Sequence, residues 1–540
     1  MTKMRGADLL AQTLAAAGVT KIFSLSGNQI MPVYDACIDA KIEIIHTRHE
    51  AAAVFMADAY AQLTGEIGVC MVTAAPGAAN ALGPLFTARH SESPVLFLTG
   101  DSPLSLDGRG AFQELDQVPM TAALTKLSFR AQSAAGLGTD MARAIRMALS
   151  GRPGPVHVAL PFDVVEGDAD SSAVPAAGAL KREEMAIRSE EAAIVTQALA
   201  DAKRPLVLTG PVMNTTRQSS AVDALAAAVD APVVAMESPR GLKDPSLGDF
   251  AKALAKADLL LCLGKPVNFT LGFGGTKVCA GDCKWIVIDP EAQERDRAHL
   301  NLGDRLKLAV AADPRDAAVA LTNAGDGKGA RAAWRAEVDD LIAARHFSAQ
   351  DPAPDGKITP AALSAAVQRQ IDAAGEAVVI CDGGEFGQWA QAGTSASNRL
   401  INGPSGAIGG GLCYAIAAKK ARPDAAVFAL MGDGTVGFHF AEFETAAREN
   451  TPFVVVIGND ECWNAEHQIQ MRAYGPDRLI GCQLSGARYD EAVRGLGGHG
   501  EYVTDLADLD AALTRAVQSG KAACVNVVIA GLPAPSGAGH

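Results

Sequence analysis

The amino-acid sequence predicts an α/β protein built from three doubly wound parallel-sheet domains. Length is the first reason: 540 residues, at about 150 per domain, point to three domains and not one. Patterning is the second. Short apolar segments rich in Val, Ile and Leu alternate with helical stretches, as strands of a parallel sheet buried on both faces require. Composition is the third. Aromatic residues make up 5% of the chain while glycines number 54, which suits close helix-on-sheet packing better than a β sandwich. With 49% apolar and 20% charged residues, disordered and fibrous classes are excluded.

The elements follow in order. The opening MTKMRGADLLAQTLAAAGV carries Lys3 and Arg5, then Leu9, Leu10 and Leu14 interrupted by Asp8 and Gln12. That pattern predicts an amphipathic first helix, not a signal peptide. Strands are expected in KIFSLSG, IEIIHTRH, GVCMVTAA, PVLFLTG and GPVHVALP, and the polar, Ala-rich GDADSSAVPAAGALKREE reads as a linker. A second set of strands lies in PLVLTG, PVVAM, LLLCLG and KWIVID, ending near residue 325. After a connection holding a charged helix, a third set lies in AVVICDGG, AVFALMGDG, PFVVVIGND and CVNVVIA. The domains are thus expected over residues 1–180, 188–325 and 356–540, with no short solenoid repeat.

Charge and cysteine usage narrow the partners. A balance of 61 acids against 47 bases gives −14, which repels nucleic acid and anionic membranes. No apolar run reaches the roughly 18 residues of a membrane span. Ten cysteines are scattered singly, without a CxxC pair, and Cys279/Cys283 has no second metal-like pair. Free thiols in a reducing cytoplasm are the expectation.

The most informative stretch is AVFALMGDGTVGFHFAEFETAARENTPFVVVIGND. It reads strand, Gly-rich turn, helix, strand, and Gly432-x-Gly434-x-x-Gly437 fits a dinucleotide fingerprint. Read alone, it suggests NAD or FAD on a Rossmann unit, hence an oxidoreductase. Asp433 argues otherwise, because it sets a carboxylate where the pyrophosphate would lie. Two like charges there require a bridging cation. Mg²⁺ held by Asp433, Asp460 and phosphate oxygens would solve the problem.

A GDG turn followed by Asn459-Asp460 resembles the signature of thiamine diphosphate (ThDP) enzymes. The resemblance implies a magnesium held by Asp433, Asp460 and the backbone carbonyl of Cys462, with Gly434 and Thr435 in the diphosphate turn. Where the family usually has Asn-Asn this chain has Asn459-Asp460, which adds a negative charge at the metal. It also implies a distant carboxylate, shielded from water, that shares a proton with N1′ of the aminopyrimidine. In IIHTRHEAAAVFMADAYAQLTG that residue is Glu50, which could otherwise be an ordinary first-turn Glu favoured by the helix dipole. In GPSGAIGGGLCYAIAA, Gly406 is implied to give its carbonyl to the 4′-amino group and Ile408 to bend the cofactor. No Lys-Ser or Lys-Thr follows those glycines, so a P-loop fails. Asp382 and Gly384 match the second diphosphate-side loop. Because Glu50 and Asp433 lie in different domains, the resemblance implies a homodimer or dimer of dimers with the active site between subunits.

Within the family, SLSGNQIMPVYDA, TAAPGAANALGPL, GAFQELDQV and VNVVIAGLPAP look like the acetolactate synthase-like group. Gln113 then falls near the reacting carbon, and a small 2-keto acid, pyruvate by default, is the expected substrate. Three features depart from that group. Ile469 stands near the position of an acceptor-selecting Trp. Glu466 occupies the place of a decarboxylase's catalytic Glu, where it could protonate and release an aldehyde, or be an exposed helix carboxylate. GFHFAEFETA and GKPVNFTLGFG resemble oxalyl-CoA decarboxylase and 2-hydroxyacyl-CoA lyase, so a CoA thioester is the alternative substrate. The loop at Gly264 and Asp289 of the central domain could then hold FAD, ADP or neither. Against CoA stands the absence of Lys or Arg after Lys521, since its phosphates need basic partners.

Overall fold

The structure is a computed structural model that describes residues 3–327, 329–353 and 355–535. Two compact units emerge, Met1–Glu183 with Ile416–Ala421, and Glu184–Ala415 with Arg422–His540.

In the first unit, β1 (Lys3–Arg5) precedes the helix Gly6–Ala16. Then β2 (Lys21–Ser24), β3 (Glu43–His46), β4 (Gly68–Val72), β5 (Val95–Asp101), β6 (Leu127–Arg130) and β7 (Val156–Pro161) form a sheet. Its order is β3-β2-β4-β5-β7-β6, and every pairing is parallel. The helix Gly6–Ala16 buries Leu9, Leu10 and Leu14 in one core with Leu137, Met141 and Ile145 of the helix Leu137–Leu149. Each such side chain contributes on the order of 1.5–3 kcal/mol. Alanines 51–53, 57 and 59 keep the helix Glu50–Thr64 slim and buried. A Cβ on Gly68 would lie 2.0 Å from the Ala57 carbonyl oxygen. Small residues here allow a closer approach of helix and strand than larger side chains would.

The chain returns as β8 (Asp168–Asp170), which pairs antiparallel with β1. The expected linker therefore begins with a strand, and the expected first helix is preceded by one. Both are too short and too charged to show an apolar alternation.

In the second unit, β9 (Pro205–Thr209), β10 (Val233–Ala235), β11 (Leu259–Leu263), β12 (Lys284–Ile288) and β13 (Leu306–Val310) form a parallel sheet ordered β10-β9-β11-β12-β13. A second parallel sheet holds β14 (Ala377–Cys381), β15 (Asn398–Ile401), β16 (Ala426–Gly432), β17 (Phe453–Asn459), β18 (His499–Val503) and β19 (Ala522–Val528). Its order is β15-β14-β16-β17-β19-β18. The fold is thus the three-sheet parallel α/β architecture expected. The sequence reading omitted β6, β13, β15 and β18, in which charged or polar residues such as Arg130, Lys307, Arg399 and Glu501 break the apolar run. All ten cysteines are free. Among the described residues no helix is long and apolar enough to cross a membrane.

Candidate active site

Both six-stranded sheets reverse direction of strand order beside their first strand, between β2 and β4 and between β14 and β16. In open α/β sheets, ligands bind beyond the carboxyl ends of the strands at such a point. The expected site residues gather there.

At the β14 end, Asp382 is fully buried. Its Oδ1 accepts the Gly383 N–H at 2.6 Å, the Gly409 N–H at 2.9 Å and Asn402 Nδ2 at 3.2 Å, while Oδ2 accepts the Gly411 N–H at 2.9 Å. Burial pushes its carboxyl above the usual carboxylate range, against the pull of these donors. Asp382 thus ties the Gly406–Gly411 loop to its strand. Gly406 sits at φ +68° in the left-handed region that glycine tolerates. Ile408 is half-buried, and a Cβ on Gly383 would come 2.5 Å from its Cγ2.

At the β16 end, Asp433 opens a one-turn helix, Asp433–Val436, followed by the short 3-10 turn Gly437–His439. Thr435 Oγ1 donates back to the Gly432 carbonyl at 3.1 Å. Asp433 is 2% exposed and its Oδ2 is buried without a hydrogen-bond partner. Burial pushes its carboxyl up to about 6. Asp460, at the end of β17, is pushed up to about 7 by burial and then by the neighbouring Asp433 charge. Glu461 follows in the left-handed region at φ +59°. The chain there pairs with residues 482–484 through the Glu461 carbonyl and the Trp463 N–H, which leaves the Cys462 carbonyl out of the ladder. A buried and a half-buried carboxylate, the first with an orphaned oxygen, beside a free carbonyl fit a hard divalent cation with phosphate oxygens completing its shell. Among the described residues no three Asp, Glu, His or Cys side chains cluster as a metal-ligand set.

These residues line a cleft of about 150 Å³ that includes Gly384, Gly406, Ile408, Gly434 and Thr435 as well as Glu466. Glu466 is exposed on the helix Asn464–Tyr474, and Ile469 is 53% exposed on it. Arg240 and Trp463 also line the cleft; neither stood out in the sequence. A Cβ on Gly434 would come 2.6 Å from the Trp463 ring.

In the first unit, Glu50 is half-buried at the first position of its helix, with Asn80 Nδ2 donating to Oε2 at 3.1 Å. Gln113, at φ +58° in the loop after β5, reaches the same crevice, where Gln29 Nε2 donates to its Oε1 at 2.9 Å. Thr73 Oγ1 donates to Gln29 Oε1 at 2.5 Å. Gln29 and Thr73 were missed because neutral side chains on separate loops carry no spacing signal. In the central sheet Asp289 is fully buried, and its Oδ1 accepts the Glu291 N–H at 2.9 Å. That contact closes the turn after β12.

Three parallel sheets, Gly-rich crevices and a buried carboxylate in a Gly-rich turn are the features of an enzyme built around a diphosphate cofactor. Residues 4–120, 192–321 and 382–527 match the N-terminal TPP binding, central and C-terminal TPP binding domains of thiamine pyrophosphate enzymes. The chain is 33% identical over 549 residues to the probable acetolactate synthase of Mycobacterium bovis and to the acetolactate synthase large subunit IlvG of Mycobacterium tuberculosis, covering 97% of this chain and 96% of each. It is 28% identical over 585 residues to 2-hydroxyacyl-CoA lyase 2 of Danio rerio, covering 97% of this chain and 91% of that one. The chain belongs to the thiamine pyrophosphate enzyme family. It is a ThDP-dependent enzyme of the acetolactate synthase or 2-hydroxyacyl-CoA lyase type, a carbon–carbon lyase or carboligase. Membership sets aside the nicotinamide or flavin oxidoreductase, in keeping with the buried carboxylate inside the turn.

Proposed function

We propose that this enzyme decarboxylates a small 2-keto acid, pyruvate by default, and joins the remaining two-carbon unit to a second carbonyl compound. The observation that carries the cofactor side is the unpartnered, buried Asp433 oxygen facing Asp460. The similarity to acetolactate synthases over nearly the whole chain carries the choice of substrate. When bound, ThDP supplies the carbanion-stabilising centre that lets CO₂ leave.

The chain's own residues do the rest. Asp433, Asp460 and the Cys462 carbonyl would hold Mg²⁺, and Gly384, Gly434 and Thr435 would leave room for the diphosphate. Asp382 acts from behind by fixing the loop that carries Gly406 and Ile408. Gly406 offers its carbonyl and Ile408 its apolar bulk against the cofactor. Glu50 holds and exchanges a proton at N1′. Gln113 orients the reacting carbonyl, and Glu466, exposed at the cleft rim, delivers a proton when no acceptor is present. A homodimer or dimer of dimers, with residues 1–180 and 356–540 as the two cofactor-binding domains, would bring Glu50 of one copy and Asp433 of another to one cofactor.

Incubation with pyruvate, ThDP and Mg²⁺ tests the reading. Acetolactate supports it; acetaldehyde alone would move the assignment to a decarboxylase that uses Glu466. The GKPVNFTLGFG loop and the 28% identical 2-hydroxyacyl-CoA lyase favour a second reading. Formyl-CoA released from oxalyl-CoA or a 2-hydroxyacyl-CoA would establish it in place of the first.

A further inference from the structure

Two adjoining clefts of the second unit share Arg240, Gly383, Gly384 and Gly406 as walls. The larger, about 270 Å³, has Asp382 as its only other charged residue, and the smaller is edged by Glu385, Asp433, Asp460 and Glu466. Among the described residues Arg240 is the only lysine or arginine on either wall. An anionic substrate entering here meets carboxylates on most sides, and one guanidinium is placed to offset them.

That guanidinium is not spent on the fold. Arg240 is exposed and pairs with no carboxylate among the described residues. Its neighbours differ. Arg399 bonds Glu237 Oε1 at 2.8 Å, and Arg345 donates to the carbonyls of Ala392, Ile342, Ala344 and Ser246. The loop bearing Arg240 is nevertheless fixed. Glu237 is held by Arg399 and by Asn214 Nδ2 at 2.6 Å, and Ser238 Oγ accepts the Arg240 N–H at 3.2 Å. Gly241 sits at φ +54°, where a Cβ would lie 2.2 Å from the Thr270 carbonyl oxygen. On the other side, a Cβ on Gly406 would lie 3.8 Å from Pro239 Cβ. A free cation on a clamped loop is preorganised for an anion.

We propose that Arg240 anchors the carboxylate of the acceptor 2-keto acid, by the bidentate pairing that guanidinium and carboxylate planes favour. The inference rests on the carboligase reading above. The acceptor is the better occupant than the donor. Its carboxylate survives into product, whereas pairing with the donor's would stabilise the group that must leave as CO₂ and raise the barrier. Arg240 thereby selects anionic over neutral acceptors.

The test uses the full chain loaded with ThDP and Mg²⁺, as wild type, Arg240→Gln and Arg240→Lys. Calorimetry with oxamate, an unreactive pyruvate isostere, reads the anchor without turnover. Product analysis with pyruvate and acetaldehyde in competition reads acceptor choice. Arg240→Gln should weaken oxamate binding and lower the preference for pyruvate as acceptor by about 10- to 100-fold each. Arg240→Lys should recover part of both, with cofactor affinity and melting temperature held. Unchanged oxamate affinity in Arg240→Gln overturns the proposal. So does a loss of ThDP affinity instead, which would put the guanidinium on the diphosphate, and so does failure of the wild type to bind oxamate. If the wild type binds oxamate through Arg240 but turns over no 2-keto acid, the carboligase reading fails while the anchor stands.

Discussion

At the switch point of the first sheet, Gln29, Thr73 and Gln113 meet through neutral amide and hydroxyl groups. At the equivalent point of the last sheet, Asp382, Asp433 and Asp460 are driven into a poorly solvated crevice. The two sheets share one strand order, each running second-first-third-fourth-sixth-fifth along its own sequence. One scaffold therefore presents two chemistries, and the difference resides in the loops at the strand ends. The charged crevice suits a metal and a diphosphate. The neutral one suits a carbonyl and an uncharged ring, with Glu50, the proposed proton carrier, nearby at the start of a helix.

The contrast can be broken first at its charged end. Asp433→Asn or Asp460→Asn should weaken Mg²⁺-dependent ThDP binding by at least about 100-fold, since loss of outer partners of a metal alone costs 10- to 100-fold. Titration of intrinsic fluorescence with ThDP at several Mg²⁺ levels would show it; retention of Mg²⁺-dependent binding in both variants would remove the metal role. The proposed division of labour between copies comes next. Glu50→Gln and Asp433→Asn chains, each inactive alone, should regain about a quarter of wild-type activity when mixed and reassembled, because half the dimers then hold one intact site. No recovery would place both residues in one copy's site.

A smaller effect concerns buried polarity in the first sheet. His157 is fully buried, between Thr99 Oγ1 at 2.9 Å and Thr121 Oγ1 at 2.8 Å, and burial holds its pKa down to about 3. The unfolded chain protonates this imidazole below about 6.5 and the folded chain does not. Stability from this group is thus complete above that pH and falls by about 1.4 kcal/mol per unit as pH drops toward 3. Urea unfolding of wild type and His157→Asn from pH 7 to pH 5 should show a shallower acid loss in the variant; equal slopes would refute it. The last test compares close approach at the two crevices. A Cβ on Gly27 would meet Thr73 Cβ at 2.2 Å, and one on Gly434 the Trp463 ring at 2.6 Å. Each Ala variant should lose about 1–3 kcal/mol. Gly27→Ala should lose more, because Thr73 is tied to Gln29 while the half-buried Trp463 can shift. Equal melting temperatures would contradict that ranking.

Sequence patterning showed the long apolar strands and placed Glu50 at a helix start and Asp433 in a turn, because those features are local. It omitted β6, β13, β15 and β18, whose short segments carry charges and depend on neighbours for their conformation. The same limit governs the site. Asp382 was legible as a loop residue, but its inward turn depends on N–H groups at Gly409 and Gly411, supplied by a loop well beyond it in sequence. Arg240 carries no motif. Its importance comes from a loop that Arg399 and Thr270 hold beside Gly406, which only the folded chain reveals.

The most direct test of the shared labour is the rate of C2–H exchange of ThDP bound to Glu50→Gln. Exchange slowed by about 10²- to 10⁴-fold, with the cofactor and Mg²⁺ still bound, is the expected result. Undiminished exchange in that variant would contradict the role proposed for Glu50 and with it the proposed sharing of one cofactor between two copies.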